Sequence, residues 1–172
     1  MKKNPASPRC YYKTMPSPVG RLTLVANDRG LAAVLWEDDD PKRVRLGDLQ
    51  ENKTHPVLVE TERQLRDYFE GRLEKFSLKL DFTGTEFQKQ VWAALLTIPF
   101  GETRSYAQVA EQIGNPAAVR AVGAANGRNP ISIIAPCHRV IGSNGKLTGF
   151  AGGMEAKAFL LKLEARELDL RQ

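Results

Sequence analysis

The chain has few of the residues on which small cross-linked or metal-bound scaffolds depend. Its 172 residues include two cysteines, Cys10 and Cys137, and two histidines, His55 and His138. Two cysteines cannot form a disulfide framework, and one zinc site with four Cys and His ligands would consume all of these residues. We therefore expect no metal site, and the cysteine usage favours a reducing cytoplasm.

Long apolar runs are also missing. No segment approaches the roughly eighteen apolar residues that cross a membrane, and the basic residues 1–5 are not followed by the apolar stretch of a secretory signal. Hydrophobic residues make up 42% of the chain and charged residues 26%, the balance of a globular protein with one ordinary domain or two small ones. We expect no membrane partner.

The first half of the chain alternates between apolar and polar residues. A helical stripe in this half ends before Gly71. Residues 10–15 are β-prone, residues 21–26 alternate, and turns separate them from the apolar segment 31–36, which predicts an antiparallel meander. The alternation at 76–80 predicts one later short strand. No motif with recognisable chemistry lies in these segments, and we interpret them as a scaffold.

From Gly84 onward the pattern becomes helical. Thr85 with Gln88 and Ser105 with Gln108 have the spacing of capping boxes. In a capping box the two side chains satisfy each other's backbone N–H groups at the start of a helix. Each pair therefore predicts a helix that begins directly after its Thr or Ser residue.

A tight turn joins the second of these helices to a third. Gly114 breaks the chain, Asn115 is a candidate cap, and Pro116 is favoured in the first turn of a helix over 117–125. Helix, turn with glycine, helix is the geometry of a helix-turn-helix.

These elements together predict the fold class. We expect an α/β (α+β) protein with a small antiparallel-sheet domain over 1–81, followed by a mostly helical domain with a helix-turn-helix over 82–172. The change from alternating to helical texture places the boundary between the domains.

One long segment has no acidic residues. Between Glu111 and Glu155 there is no Asp or Glu, although four cations are present, namely Arg120, Arg128, Arg139 and Lys146. Such a segment is typical of a surface that binds a polyanion, because a carboxylate near a phosphate cancels the benefit of a cation. The alternative is an apolar, buried segment that lacks acids by chance, and charge alone leaves both open.

The predicted helix over 117–125 consists almost entirely of small residues, namely Ala117, Ala118, Ala121, Gly123, Ala124 and Ala125. Glycine costs about 1 kcal/mol relative to alanine inside a helix, so its presence needs a reason. Small side chains permit either a tight contact with another helix or a close approach to a nucleic-acid groove, with Arg120 projecting. The acid-free segment favours the groove.

Cys137 follows an apolar run over 131–135 and precedes His138 and Arg139. Most isolated cysteines are small core residues. A neighbouring histidine and arginine could favour the thiolate, which is the nucleophilic form, although adjacent side chains need not point the same way. His138 could equally be a structural histidine, so these residues alone leave a core and a reactive centre open.

The flanks of Cys137 make the pattern more specific. Pro-Cys-His-Arg-Val-Ile-Gly at 136–142, with Asn129-Pro130 before it and Gly-Phe-Ala-Gly-Gly at 149–153 after it, closely resembles the O6-alkylguanine-DNA alkyltransferases. This family is also called the methylated-DNA–protein-cysteine methyltransferases, and the similarity is to its bacterial constitutive type. The resemblance runs from about Gly84 to Glu164, including Pro-Phe-Gly-Glu-Thr-Arg-Ser-Tyr at 99–106 and Arg-Ala-Val-Gly-Ala-Ala-Asn at 120–126.

The resemblance implies a role for each residue of a reactive centre. Cys137 is the nucleophile and alkyl acceptor, and His138 acts as its base through a water molecule. Glu164 orients His138, with Glu167 a weaker rival because the residues around Glu164 depart from the family pattern. Two further residues complete the implied catalytic set, Asn129 as a brace of the surrounding turns and Tyr106 as a proton donor toward guanine N3.

The resemblance also implies a DNA-binding surface and a base pocket. The second helix of the helix-turn-helix lies in the minor groove, and Arg120 fills the place in the stack that the flipped base leaves. The implied DNA-binding residues are Arg120, Ala121, Ala124 and Arg128. The implied pocket for the base consists of Tyr106, Val140, Phe150 and Ala151, with Phe150 standing where many relatives have Tyr.

The implied function is direct reversal of DNA alkylation. A chain of this family has a ribonuclease H-like N-terminal domain, takes the alkyl group from O6-alkylguanine in double-stranded DNA irreversibly onto Cys137, and acts once without a cofactor. O4-alkylthymine stays open as a second substrate. We expect a monomer without an obligate protein partner, and the sequence leaves cooperative binding along DNA open.

Three other functions fit part of the pattern. An alkyltransferase-like lesion sensor recognises damage without repairing it, but such proteins replace the reactive cysteine. A Cys-His hydrolase predicts repeated turnover and leaves the acid-free helix unexplained. A transcription regulator of this kind usually dimerises on repeated half-sites, and the sequence shows no dimerisation stripe.

Overall fold

Strand pairing in the first part of the chain follows the alternation of apolar and polar residues. The computed structural model describes residues 9–145 and 149–167. Its main sheet has the order β3-β2-β1-β4, with strands β1 (Cys10–Met15), β2 (Leu22–Asn27), β3 (Gly30–Leu35) and β4 (Leu49–Glu51). The predicted antiparallel meander β1-β2-β3 is confirmed.

Two details of the sheet were not predicted correctly. β4 pairs parallel with β1 at the edge, and its three exposed residues carry no alternation from which to predict it. The strand expected over 76–80 is wrong, because only Leu80 forms a bridge, with Leu31. The apolar residues of that segment pack against the core without forming a ladder.

The helix α1 (Pro56–Phe69) covers one face of the sheet. His55 caps it, because its Nδ1 accepts a hydrogen bond from the backbone N–H of Val57 at 3.2 Å. The helix ends two residues before Gly71, whose φ of 77° lies in the left-handed region that favours glycine. The predicted end of the apolar stripe is therefore confirmed.

Within the described residues the second part of the chain has four helices, α2 (Glu86–Leu95), α3 (Tyr106–Gln112), α4 (Val119–Gly127) and α5 (Met154–Glu164). It also has a one-turn 3₁₀ helix at Cys137–Arg139 and two short parallel strands, β5 (Arg104–Ser105) and β6 (Val140–Ile141). Both predicted capping boxes are present at the starts of α2 and α3.

The start of α4 differs from the prediction. Asn115 does not cap the helix, and Pro116 lies in the turn before it, where the N–H of Ala118 donates to the Asn115 carbonyl at 3.0 Å. The helical pattern begins with the N–H of Val122 donating to the Ala118 carbonyl. The turn between α3 and α4 is longer than expected because Asn115 uses its backbone, not its side chain.

The sheet and the helical part share a core. The largest cluster of buried apolar residues joins the α1 side of the sheet to the segment 131–134 and to α5. A second cluster holds α2, α3 and α4 together with Cys137. The α/β (α+β) class is confirmed, while the division into 1–81 and 82–172 stays a prediction.

Among the helices that the structure describes, none is both long and apolar enough to span a membrane.

Candidate active site and nucleic-acid interface

Cys137 begins the 3₁₀ helix and follows a turn that Asn129 holds in place. The Asn129 side chain is fully buried, donates to the Ala135 carbonyl at 2.8 Å and accepts from the N–H of Ile131 at 3.0 Å. Inside this turn Ile133 has a φ of 72°. A β-branched residue in that conformation costs about 1–3 kcal/mol, so the surrounding contacts must hold the turn.

The Cys137 thiol is enclosed, with only 4% of the residue exposed. Burial raises the pKa of the thiol, because it disfavours the charged thiolate. Hydrogen bonds from Asn129 and Ser132 and the positive charges of Arg43 and Lys157 oppose that increase without cancelling it. The thiol is therefore protonated at neutral pH and needs a base for attack.

A buried carboxylate beside Cys137 collects donors from two parts of the chain. Glu164 Oε2 lies 2.7 Å from Nε2 of His138 and accepts a hydrogen bond from the Tyr68 hydroxyl at 2.5 Å. Its Oε1 accepts from Nε of Arg139 at 2.7 Å. Glu164, and not its rival Glu167, contacts His138.

The charge states in this cluster follow from burial and pairing. Burial alone would raise the pKa of Glu164, but the hydrogen bonds and charges of His138 and Arg139 outweigh it and lower the pKa to about 2. Burial lowers the pKa of His138, although Glu164 opposes this. A neutral imidazole therefore faces a charged carboxylate at neutral pH.

The second ring nitrogen of His138 is the group that can receive a proton. His138 Nδ1 is buried and has no hydrogen-bond partner within residues 9–145 and 149–167. With Nε2 directed to Glu164, the carboxylate favours the tautomer that carries its proton on Nε2 and a lone pair on Nδ1. The arrangement can accept a proton on the side of the ring that does not face Glu164.

Lys157 is a site residue that the sequence interpretation missed. It is fully buried on α5, and its Nζ donates to the Val140 carbonyl at 2.7 Å and lies 5.8 Å from the centre of the Phe150 ring. Its burial lowers its own pKa, while the Cys137 group opposes that decrease. The spacing of Lys157 from Leu160 and Glu164 places it on the buried face of α5, a signal that the sequence contains.

The predicted pocket residues lie around the same cluster. Val140 is buried beside Cys137, and the half-buried Tyr106 and Phe150 pack against that cluster. Phe150 also contacts the Trp36 ring edge-on, with 5.3 Å between ring centres. Ala151 is exposed on the adjacent turn. The structure thus brings the predicted pocket residues to one region, while their roles stay predictions.

The four predicted DNA-binding residues lie on one exposed face of α4 and its end, namely Arg120, Ala121, Ala124 and Arg128. The opposite face of α4 is buried, including Val122 and Ala125, and the carbonyl of Ala125 accepts a hydrogen bond from the Trp92 indole at 2.9 Å. Ala121 and Ala124 are therefore not used in contacts between helices. Their exposure leaves a flat surface on which another molecule can lie closely.

The acid-free segment is not one continuous surface. Arg120 and Arg128 are exposed, whereas Arg139 is buried, binds Glu164 and donates to the Ile98 carbonyl at 2.6 Å. Arg139 therefore does not belong to a polyanion-binding face. Lys146 lies outside the described residues.

The first part of the chain contributes three side chains that sequence reasoning missed, Trp36, Arg43 and Tyr68. The Trp36 indole donates to the Ser132 hydroxyl at 3.1 Å, and Tyr68 donates to Glu164. Arg43 donates to the Asn129 carbonyl at 2.8 Å and forms a bidentate pair with a nearby carboxylate, that of Asp39. No local pattern around these residues marks them, because their partners lie far away along the chain.

Comparison with known proteins agrees with this geometry. The family model of the 6-O-methylguanine DNA methyltransferase DNA-binding domain matches residues 86–166. The model of the ribonuclease-like domain of 6-O-methylguanine DNA methyltransferase matches residues 10–82. Together these models cover most of the chain.

Relatives of similar length share about half of the sequence. A methylated-DNA–protein-cysteine methyltransferase of Methanosarcina barkeri is 53% identical over 159 residues, which cover 92% of this chain and 99% of that one. The Mycobacterium tuberculosis protein of the same name is 49% identical over 156 residues, covering 90% and 92%. The crystal structure of Mycobacterium tuberculosis OGT in complex with DNA superposes with a TM-score of 0.83 at 47% identity, covering 91% and 93%.

The resemblance read from the sequence is thus confirmed by both domain models and by relatives that match over nearly their whole length. The chain therefore belongs to the 6-O-methylguanine DNA methyltransferase family, whose members repair DNA by direct reversal and transfer an alkyl group from the damaged base to their own cysteine.

Proposed function

We propose that this protein removes the alkyl group from O6-alkylguanine in duplex DNA and keeps it on Cys137. The Cys137 thiolate attacks the alkyl carbon, an S–C bond forms, the C–O6 bond breaks, and its electron pair leaves with guanine. The leaving guanine then takes a proton, for which Tyr106 is the donor. A thioether has no acyl carbonyl for water to attack, so each molecule reacts once.

The buried His138–Glu164 pair next to Cys137 is the observation that carries this proposal. Burial raises the pKa of the thiol and lowers the pKa of His138, so the resting state is a neutral thiol beside a neutral imidazole. His138 Nδ1 takes the thiol proton through a water molecule as Cys137 becomes nucleophilic. Glu164, whose pKa is about 2, then stabilises the imidazolium.

Access to the thiol requires that the base leaves the DNA stack. Cys137 is only 4% exposed, so its sulfur cannot reach a base inside a duplex. The exposed face of α4 binds the minor groove, where Ala121 and Ala124 permit close approach, and Arg120 occupies the stack in place of the flipped base. Arg128 binds a phosphate at the end of the same helix.

The flipped base occupies the region between Tyr106, Val140, Phe150 and Ala151. Phe150 supplies an apolar ring against the purine, and Trp36 supports that ring from behind. Asn129 keeps the turn before Cys137 in its strained conformation, so that the sulfur stays aligned with the incoming base. Lys157 adds positive charge near the sulfur.

The protein acts on alkylated double-stranded DNA as a monomer, with neither metal nor cofactor. We place the reaction in the cytoplasm because both cysteines are free and Cys137 must stay reduced to react. Cooperative binding along DNA is a further property to be measured with the same substrate.

Intact-protein mass spectrometry tests the proposal. The protein is mixed with duplex DNA that carries one O6-methylguanine, with the Cys137→Ala variant and the Cys10→Ala variant alongside. We expect a gain of one methyl group that stops at one equivalent, is lost in Cys137→Ala and is kept in Cys10→Ala. Tight lesion binding without a mass gain in the unaltered protein would indicate a lesion sensor instead.

The Arg120→Ala variant separates base flipping from chemistry. We expect a wild-type fold by circular dichroism, because Arg120 is exposed and its side chain forms no hydrogen bond or ion pair within residues 9–145 and 149–167. Methyl transfer from duplex DNA should be slow, because the flipped base then has no replacement in the stack. Transfer from a single-stranded oligonucleotide should be affected much less, since no stacked partner has to be replaced. Equal loss on both substrates would contradict the stacking role.

A further inference from the structure

A second cationic surface lies beside α4, in a groove between the sheet and the helical part. The groove has a volume of about 480 Å³. Among residues 9–145 and 149–167 its lining includes no carboxylate and five cations, namely Arg29, Lys42, Arg43, Arg45 and Arg128. The remaining lining comes from β1, β2, β3, the segment 44–47, α2 with the nearby Thr83, and Pro130.

Two of these cations are already neutralised. Arg43 pairs with Asp39 at 2.6 Å and holds the carbonyl of Asn129, and Arg29 lies 3.7 Å from Asp81. The side chains of the other three, Lys42, Arg45 and Arg128, form no ion pair within residues 9–145 and 149–167, and all three residues are exposed. The groove therefore carries an excess of three positive charges that the fold does not use.

The acidic run at 37–40 does not cancel this excess. Asp39 faces Arg43, and Glu37 is occupied by the backbone N–H of Arg21 at 2.9 Å. None of the four acidic residues lines the groove. Asp40 accepts a hydrogen bond from the backbone N–H of Lys42 at 2.8 Å, so it lies beside the groove and not in its lining. The three unpaired cations outnumber this carboxylate, and their net charge attracts an anion.

Arg128 connects the groove to the exposed face of α4. It follows the last residue of the helix and lines the groove as well. Arg120 and Arg128 are eight positions apart, which is about 12 Å along a helix. Phosphates on one DNA strand follow each other at about 3.4 Å along the axis, so the groove begins about four nucleotides from Arg120.

We propose that this groove binds the sugar-phosphate backbone of the same DNA on one side of the lesion, through Lys42 and Arg45 of the first part of the chain. This inference rests on the proposed binding of DNA by α4 and extends it to the N-terminal sheet. Arg43 keeps the wall of the groove in position, and Arg128 is shared between the two surfaces. The contacts are with phosphates and therefore do not depend on base sequence.

The salt dependence of binding tests the proposal with two variants of equal charge. Lys42→Ala/Arg45→Ala removes two cations from the groove, and Arg63→Ala/Arg66→Ala removes two exposed cations from α1, on the other face of the sheet. We expect the first variant to lower the slope of log affinity against log salt by about 1.8, at about 0.9 per lost contact. Between 50 and 200 mM salt the unaltered protein should lose about tenfold more affinity than this variant.

Neutral phosphates locate the contact on the DNA. Methylphosphonate linkages are placed about four to eight nucleotides from the O6-methylguanine, on one flank at a time. We expect one flank alone to weaken binding of the unaltered protein, and the same substitution to leave the Lys42→Ala/Arg45→Ala variant unchanged. Equal salt slopes for both double variants would overturn the proposal. So would methylphosphonates that weaken DNA binding by the Lys42→Ala/Arg45→Ala variant as much as binding by the unaltered protein.

Methyl transfer distinguishes this inference from the proposed function. The groove variant should still gain one methyl group at saturating DNA, because Lys42 and Arg45 do not contact Cys137 or His138. If neither the unaltered protein nor the groove variant gains a methyl group, the proposed function is contradicted. If the protein gains the methyl group but both double variants bind DNA with the same salt dependence, only the proposal that the groove binds DNA is contradicted.

Discussion

The two parts of the chain contribute to the candidate site in different ways. Cys137, His138 and Glu164, to which we assign the reaction, lie in the helical part and sit close to recognisable motifs. The sheet part has no such motif, yet Arg43 and Tyr68 reach the turn before Cys137 and the carboxylate of Glu164. A segment that looks like a scaffold in the sequence therefore contacts the turn before Cys137 and places a positive charge near its thiol.

The difference shows why a short motif can identify chemistry without defining its environment. Burial raises the pKa of Cys137, and the charges that oppose this come from Arg43 and Lys157, not from the adjacent Arg139. Arg139 instead turns inward to Glu164. The sequence suggests Arg139 as the cation near the sulfur, whereas in the folded chain Arg43 and Lys157 are the cations that act on it.

The largest expected effect concerns the base. His138→Ala should slow methyl transfer about 10²–10⁴-fold at neutral pH, because the buried thiol loses the group that accepts its proton. His55→Ala is the matched control, since His55 caps α1 and contacts the Tyr11 ring in the sheet part, and the loss of the cap costs about 1 kcal/mol of stability. Rates come from single-turnover mass spectrometry, and equal rates for the two variants would exclude His138 as the base.

The pH profile sharpens this comparison. Since burial lowers the pKa of His138, the imidazole stays neutral and active below its ordinary range, and the rate of the unaltered protein should begin to fall only below the ordinary pKa of histidine, about 6.5. The rate of His138→Ala should instead rise with pH into the alkaline range, because burial raises the pKa of the thiol.

The next effect comes from the sheet part. Arg43→Met leaves the nearly buried Asp39 carboxylate without its partner and should lower the free energy of unfolding by about 3 kcal/mol. It should also raise the pKa of Cys137, which thiol titration by absorbance measures. The exposed Arg45→Met serves as a control with little effect on either quantity. An unchanged thiol pKa would confine Arg43 to a structural role.

Tyr68→Phe should have a smaller effect, about 2 kcal/mol, because one hydrogen bond to a buried charge is lost. Its specific signature is at acid pH. The folded pKa of Glu164 is about 2, below its ordinary value of 4.5, so its contribution to stability is present above pH 4.5 and is lost as pH falls toward 2. Without the Tyr68 hydroxyl the pKa of Glu164 rises and acid unfolding begins at higher pH.

A matched variant separates this signature from a general loss of packing. Tyr12→Phe removes a hydroxyl from the other face of the sheet and should leave the acid unfolding midpoint unchanged. Chemical denaturation at several pH values measures both variants. The positioning role of Tyr68 fails if the stability difference from the unaltered protein is the same at pH 3 as at pH 7.

The smallest expected effect tests whether the packing of Trp36 against Phe150 matters for the position of the Phe150 ring. A Cβ at Gly152 would lie 2.6 Å from the Trp36 ring, so Gly152→Ala forces the turn to move and should cost about 1 kcal/mol. Gly149→Ala in the same loop meets no atom within 4 Å and should be neutral. Thermal unfolding and the rate of methyl transfer measure both, and a displaced Phe150 should slow transfer only in Gly152→Ala.

Local interactions were predictable from the sequence. The capping boxes that begin α2 and α3 depend on side chains three residues apart, and the strands β1 to β3 are six-residue segments that short turns connect or delimit. The predictions of secondary structure are wrong where contacts that the local pattern does not show determine the conformation. Residues 76–80 alternate but find a single strand partner at Leu31, and the helix α4 begins after a turn that Asn115 closes through its backbone.

The same distinction applies to the site. The resemblance to the family implied roles for Asn129, Cys137, His138 and Glu164, and the contacts of these residues agree with one reactive centre. Lys157 could have been suspected, because it shares a face of α5 with buried residues. Tyr68 could not, since nothing near α1 indicates that its hydroxyl meets a carboxylate 96 positions later.

By itself the sequence determined the family, the starts of α2 and α3 and the first three strands, because each of these depends on short spacings. Only the tertiary structure decided which charges surround the sulfur, which arginines face solvent and how the sheet supports the helical part. Electrostatic energies depend on distance and burial in space, and neither quantity can be read from positions along the chain.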